Sequence, residues 1–70
     1  MGYAVHFYHM GTVVFCQTLD QVELCKVIKN ALWFVVCETN EDFPPGTEMA
    51  DWAWLFGDES KNRKVVDWSR

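Results

Sequence analysis

Cys16, Cys25 and Cys37, with His6 and His9, are the side chains of this sequence able to ligate a transition metal or to supply a nucleophile and its base. Their spacing argues against both roles. Cys25 follows Cys16 by nine positions and Cys37 follows Cys25 by twelve. There is thus no C-x2-C knuckle of the kind structural zinc sites use, and His6 and His9 face opposite sides if they share a strand. A reactive thiolate needs an electropositive, partly exposed setting, and the one basic residue near a cysteine in sequence is Lys26 beside Cys25. Free cysteines are usually buried, so these are expected to be core residues, with Cys16 and Cys37 packing as small apolar groups on neighbouring strands.

Carboxylate chemistry is the next option, through the adjacent acids Glu41-Asp42 and Asp58-Glu59. Both pairs fall in expected loops, where acids are solvated, whereas catalytic pairs are held by a preorganised shell. No glycine-rich phosphate loop is present. Arg63, Lys64 and Arg70 gather near Trp68, and aromatic residues among bases can stack on nucleotides. The net charge of −4 opposes a polyanion, so direct nucleic-acid binding is disfavoured. Those bases are read instead as solubilising the last strand and pairing across a hairpin. The expectation is a protein with no catalytic residue, no metal and no cofactor.

The charge is segregated along the chain. Residues 1–37 balance Asp20 and Glu23 against Lys26 and Lys29. Residues 38–59 carry seven acids (Glu38, Glu41, Asp42, Glu48, Asp51, Asp58 and Glu59) and no base, and residues 60–70 carry a net +3. The acidic stretch also holds Phe43, Trp52, Trp54 and Phe56. Aromatic anchors ringed by charge describe a recognition surface, in which the aromatics supply affinity and the acids steer a basic partner. Glu41, Asp42, Phe43, Asp51, Trp52, Trp54, Asp58 and Glu59 are therefore the expected partner-binding residues.

Seventy residues make a single small domain, residues 1–70, which buries only about 60% of its unfolded surface and must lean on large side chains for its core. Half the residues are apolar, which excludes disorder. The odd cysteine count and the lack of an apolar leader with a cleavage site point to a reducing, cytoplasmic setting. The longest apolar run, Ala31–Cys37, is far short of the roughly 20 residues needed to span a membrane.

The elements that must position these residues follow from pattern. Tyr3–Met10 and Val13–Gln17 read as two strands joined at Gly11-Thr12. Thr18 stands as an N-cap with Gln21 in the capping-box position, so a helix begins at Leu19. Its apolar stripe is Val22, Cys25, Ile28 and Leu32, and Asn30 ends it in a left-handed conformation. Leu32–Glu38 is a strand buried on both faces, placed centrally in the sheet. Thr39–Thr47, with Pro44, Pro45 and Gly46, is a loop. Trp52–Phe56 alternates as a strand and is expected to form a hairpin with Lys64–Trp68 through Asp58–Asn62; the alternative is a short helix over residues 48–56 followed by one closing strand. The fold class is α+β, a mostly antiparallel sheet with one amphipathic helix on one face in the order β-β-α-β-loop-β-β. The other sheet face, lined with aromatics, is expected to be bare.

Small, acidic, single-domain proteins without catalytic motifs are a form that phages and mobile elements often encode against host or defence proteins, a likeness of size and composition. The function expected is a non-catalytic inhibitor or adaptor that binds a basic surface on a larger protein, one that itself handles nucleic acid in the most concrete version. The alternative is a protein that self-associates through its aromatic sheet face, as a homo-oligomer.

Overall fold

The computed structural model describes residues 2–69, so Arg70 of the basic cluster lies outside the described residues. Five strands form one sheet: β1 (Gly2–Phe7), β2 (Thr12–Cys16), β3 (Val35–Thr39), β4 (Glu48–Ala50) and β5 (Lys64–Trp68), in the spatial order β4-β2-β1-β3-β5. Every pairing is antiparallel. An eleven-residue helix, α1 (Leu19–Lys29), packs on one face, and a short helix, α2 (Asp51–Leu55), packs on the other. The α+β class and the antiparallel sheet are as the sequence predicts. No helix among the described residues is long and apolar enough to cross a membrane.

Local chemistry sets the first half. The β1–β2 hairpin turns at Tyr8–Gly11, where Gly11 has φ +71°. Thr18 Oγ1 accepts the Gln21 backbone N–H at 3.2 Å, and the Gln21 side chain reaches back to the Gln17 N–H at 2.8 Å, one residue upstream of the usual capping-box contact. At the other end Asn30 takes φ 49°, its N–H donating to the Val27 carbonyl while Ala31 N–H donates to that of Lys26. This is a Schellman close, satisfying carbonyls that the helix leaves unpaired.

The register sorts side chains into two faces. On the α1 side Val5, Phe7, Val14, Cys16 and Val36 meet Val22 of α1; on the α2 side Ala4, Val13, Phe15 and Cys37 meet Trp54. Cys16 and Cys37 therefore do not pack together on neighbouring strands. β2 and β3 are separated by β1, and the two thiols belong to opposite faces. β3 is internal, but the central strand is β1. β3 also begins only at Val35, leaving Leu32 and Trp33 exposed.

Three expectations are corrected. First, α1 is rotated from the predicted stripe: Val22 is buried, but Ile28 is 71% exposed, and Lys26 and Lys29 turn toward the sheet instead. One row across the sheet runs Glu48–Val14–Val5–Val36–Asp67, with an acid at each edge strand. Lys29 pairs with Glu48, while Lys26 pairs with Glu23 at 2.7 Å and reaches Asp67 at 3.4 Å. The lysine stems cover apolar surface and their charged heads join the helix to both edges, a trade that a hydrophobicity pattern does not register.

Second, Trp52–Phe56 is not a strand and forms no hairpin. β4 ends at Ala50, Asp51–Leu55 is helical, and β5 pairs with β3 on the far side of the sheet, with a bulge opposite Val36/Cys37. The alternative of a short helix and one closing strand is nearer, although residues 48–50 are strand. Third, the sheet face expected to be bare is covered: Trp54 of α2 is only 4% exposed, and Phe43 lies over Phe15 with ring centroids 4.5 Å apart. A buried tryptophan alone removes on the order of 150–250 Å² from water.

Candidate interaction surface

Placing α2 under the sheet divides the acidic and aromatic stretch into an inner and an outer set. The inner set centres on Glu41. Its Oε1 accepts from Arg63 Nε at 2.7 Å, Thr39 Oγ1 at 3.0 Å and Trp54 Nε1 at 3.2 Å. The Arg63 guanidinium lies over the Trp54 ring, 4.0 Å from its centroid. The side chains of Arg63 and Glu41 are 6% and 11% exposed, so this is a buried charge pair. Gly57 makes room for it: a Cβ there would stand 3.2 Å from Arg63 Nη2 and from the Trp54 carbonyl oxygen. Arg63 Nη2 has no hydrogen-bond acceptor among the described residues.

Other acids of the stretch are also committed internally. Asp51 Oδ2 lies 3.2 Å from His6 Nε2, and that imidazole sits edge-on to Trp54 with centroids 5.2 Å apart. Glu48 is held by Lys29. Of the residues expected to bind a partner, Glu41, Asp51 and Trp54 thus build the underside of the sheet, and Phe43 is split between packing on Phe15 and partial exposure. The sequence marked neither Arg63 nor His6 for this role, because nothing near them in the chain forecasts a partner 22 or 45 residues away.

The outer set is smaller. Trp52 and Phe56 are 67% and 86% exposed and lie four residues apart, with the Phe56 N–H donating to the Trp52 carbonyl, so both project from one side of α2. Leu55 beside them is half exposed. Asp58 and Glu59 follow directly, and neither they nor Asp42 or Glu38 pairs with a cation among the described residues. Glu59 accepts only a hydrogen bond from Asn62, at 3.1 Å. The Glu41–Arg63 pair ties the Asp42 loop to the segment that carries Asp58 and Glu59.

Burial pushes the Cys16 thiol up to about 11, with neighbouring Cys25 adding to the effect. Burial likewise raises Cys25 and Cys37, although Lys29 and Arg63 respectively pull the other way. Thiols held protonated are poor nucleophiles. No group of three or more His, Cys, Asp and Glu side chains placed to hold a metal ion occurs among the described residues. No protein-family model, curated protein or solved structure matches this chain.

Glu41 carries a pH prediction. Burial opposes its ionisation, but the hydrogen bonds from Arg63, Thr39 and Trp54 and the Arg63 charge outweigh burial and lower its pKa below the ordinary 4.5. A carboxyl lowered in the folded state adds stability that is complete above its unfolded pKa and is lost as the pH falls through the folded value. Urea midpoints should therefore drop between pH 5 and 3, roughly the window of carboxyl titration, more steeply for the wild type than for Glu41→Gln. Parallel pH profiles for the two proteins would contradict this role for Glu41.

Proposed function

We propose that the protein is a non-catalytic interaction protein, an inhibitor or adaptor that docks on a basic surface of a larger protein through the outer side of α2. The observation that carries this reading is the joint exposure of Trp52 and Phe56 beside Asp58 and Glu59, acids with no internal cation among the described residues. With Trp54 buried, α2 leaves Trp52 and Phe56 side by side in water, an apolar surface to spare for a partner. Tryptophan is favoured as a binding hot spot, and surrounding acids raise the association rate and select a basic target. A basic surface is most often one that handles nucleic acid, so competition with nucleic acid is the concrete form of the proposal. The acids left for it number fewer than the stretch as a whole suggests. Affinity should therefore rest on the aromatics, and the charges should act mainly on rate.

The test is capture from the native host lysate followed by titration of the purified partner. Trp52→Ala/Phe56→Ala is expected to weaken binding by about 30-fold or more, the scale of a hot-spot loss. Asp42→Asn/Asp58→Asn/Glu59→Gln is expected to slow association and flatten its dependence on salt. All five positions are exposed or near-surface, so both variants should fold as the wild type does. A partner retained equally by both variants would rule out this surface.

A further inference from the structure

Cys16 of β2 and Cys25 of α1 come together in the fold. Both line an open cavity of about 330 Å³ beside α1, with Val14, Leu24, Ile28 and Pro45. Cys25 packs against the buried cluster to which Cys16 belongs, and each thiol is near enough to act on the ionisation of the other. They differ in access: Cys16 is 7% exposed, whereas Cys25 is only partly buried. Cys37, the third thiol, belongs to the opposite face of the sheet.

We propose that Cys16 and Cys25 form a reversible oxidation site, in which a peroxide closes the two thiols to a disulfide that ties α1 to β2. The more accessible Cys25 reacts first. Its sulfur attacks a peroxide oxygen as the O–O bond breaks, and the leaving hydroxide takes the Cys25 proton, giving the sulfenic acid and one water. The Cys16 sulfur then attacks that of Cys25: the S–S bond forms, the S–O bond breaks, and the departing hydroxide takes up the Cys16 proton as a second water. The two thiols lose two electrons in all, and one peroxide gains them. A thiol reductant reverses the change by exchange through a mixed disulfide.

Among the α1 side chains only Val22 is fully buried, and the Lys29–Glu48 and Lys26–Asp67 pairs hold the helix at the two sheet edges. A bond from Cys25 to β2 adds a covalent anchor. It also closes a short loop, which restricts the unfolded chain more than the folded one. Burial holds both thiols protonated, so the first step is slow. The second step takes place within one molecule, and that proximity offsets the same handicap at Cys16. The site therefore answers sustained exposure and not a brief pulse. α1 and α2 cover opposite faces of the sheet, so this chemistry does not depend on the surface proposed for a partner.

The test treats the purified protein with a small excess of hydrogen peroxide, blocks the remaining thiols in denaturant and follows the products by mass spectrometry. The main product should be a monomer lighter by two hydrogens, with only Cys37 blocked. Cleavage at Asp20 and Glu23, which lie between the two cysteines, should leave fragments joined by a bond that dithiothreitol releases. The same treatment in urea should scramble the pairs among all three cysteines. In Cys16→Ser, dimedone should label Cys25, while Cys37→Ser should form the bond as the wild type does. Oxidation should raise the urea midpoint of the wild type by about 1–2 M. A native product that pairs Cys37 as often as the denatured one does, a disulfide between molecules only, or sulfinic acid at Cys25 with no bond to Cys16 would overturn the proposal. So would an oxidised protein no harder to unfold in urea than the reduced one.

Discussion

Truncating Trp54 to alanine is expected to lower the unfolding free energy by about 3–5 kcal/mol, the cost of removing a buried tryptophan from a packed core. A domain of this length holds only roughly 3–10 kcal/mol in total, so the variant should be largely unfolded or close to its midpoint at ambient temperature. The reason lies in what the indole joins. One face packs on Ala4, Val13, Phe15 and Cys37, while the ring also carries Arg63 and its N–H donates to Glu41. Trp54→Phe should fall between the two, because it keeps most of the apolar area but removes one donor from a buried carboxylate. Urea titration followed by far-ultraviolet circular dichroism measures the series. A loss under about 1 kcal/mol for Trp54→Ala would show that α2 does not close the core.

Removal of Arg63 should also be damaging, about 1–3 kcal/mol for Arg63→Ala, because it leaves the part-buried Glu41 carboxylate without its counter-ion. Arg63→Lys should rescue little. Lysine has neither a planar face to lie on Trp54 nor a fixed N–H directed at Glu41 Oε1. The double variant Glu41→Ala/Arg63→Ala should cost less than the two single changes added together, since neither charge is then left buried alone, with a coupling of about 0.5–3 kcal/mol. Strict additivity in that cycle would mean that the two side chains act independently. It would leave the hydrogen bonds from Thr39 and Trp54 as the cause of any steeper acid sensitivity at Glu41.

These predictions concern residues whose roles were unevenly legible. The limits of α1 could be read directly, because a cap is a contact between neighbours: Thr18 with Gln21 at the start, and Asn30 with the carbonyls just before it at the end. The existence of the β1–β2 hairpin was legible for the same reason, although its turn is Tyr8–Gly11 and not Gly11-Thr12, since β1 ends at Phe7 and Thr12 already belongs to β2. Which side of α1 faces inward was not, since that depends on Glu48 and Asp67 arriving at opposite edges of the sheet from distant parts of the chain. The acidic, aromatic stretch was legible as a feature but not as a surface. Trp52, Trp54 and Phe56 alternate as in a strand, and only the docking of α2 sends Trp54 inward and leaves Trp52 and Phe56 outside.

Composition, local capping and turn chemistry by themselves determined the α+β class, the helix from Leu19 and the segregation of acid from base, because each is settled within a few residues or by simple counting. Tertiary structure alone decided that Arg63 packs on Trp54 and pairs with Glu41, that β5 pairs with β3, and that Glu41 supports the fold while Asp58 and Glu59 pair with no cation among the described residues. The physical reason is desolvation. Whether a charge is buried or solvated depends on whether a counter-charge and an aromatic face meet it in space, and for Arg63 both come from residues that precede it in the chain, Glu41 by 22 positions and Trp54 across the turn at Gly57.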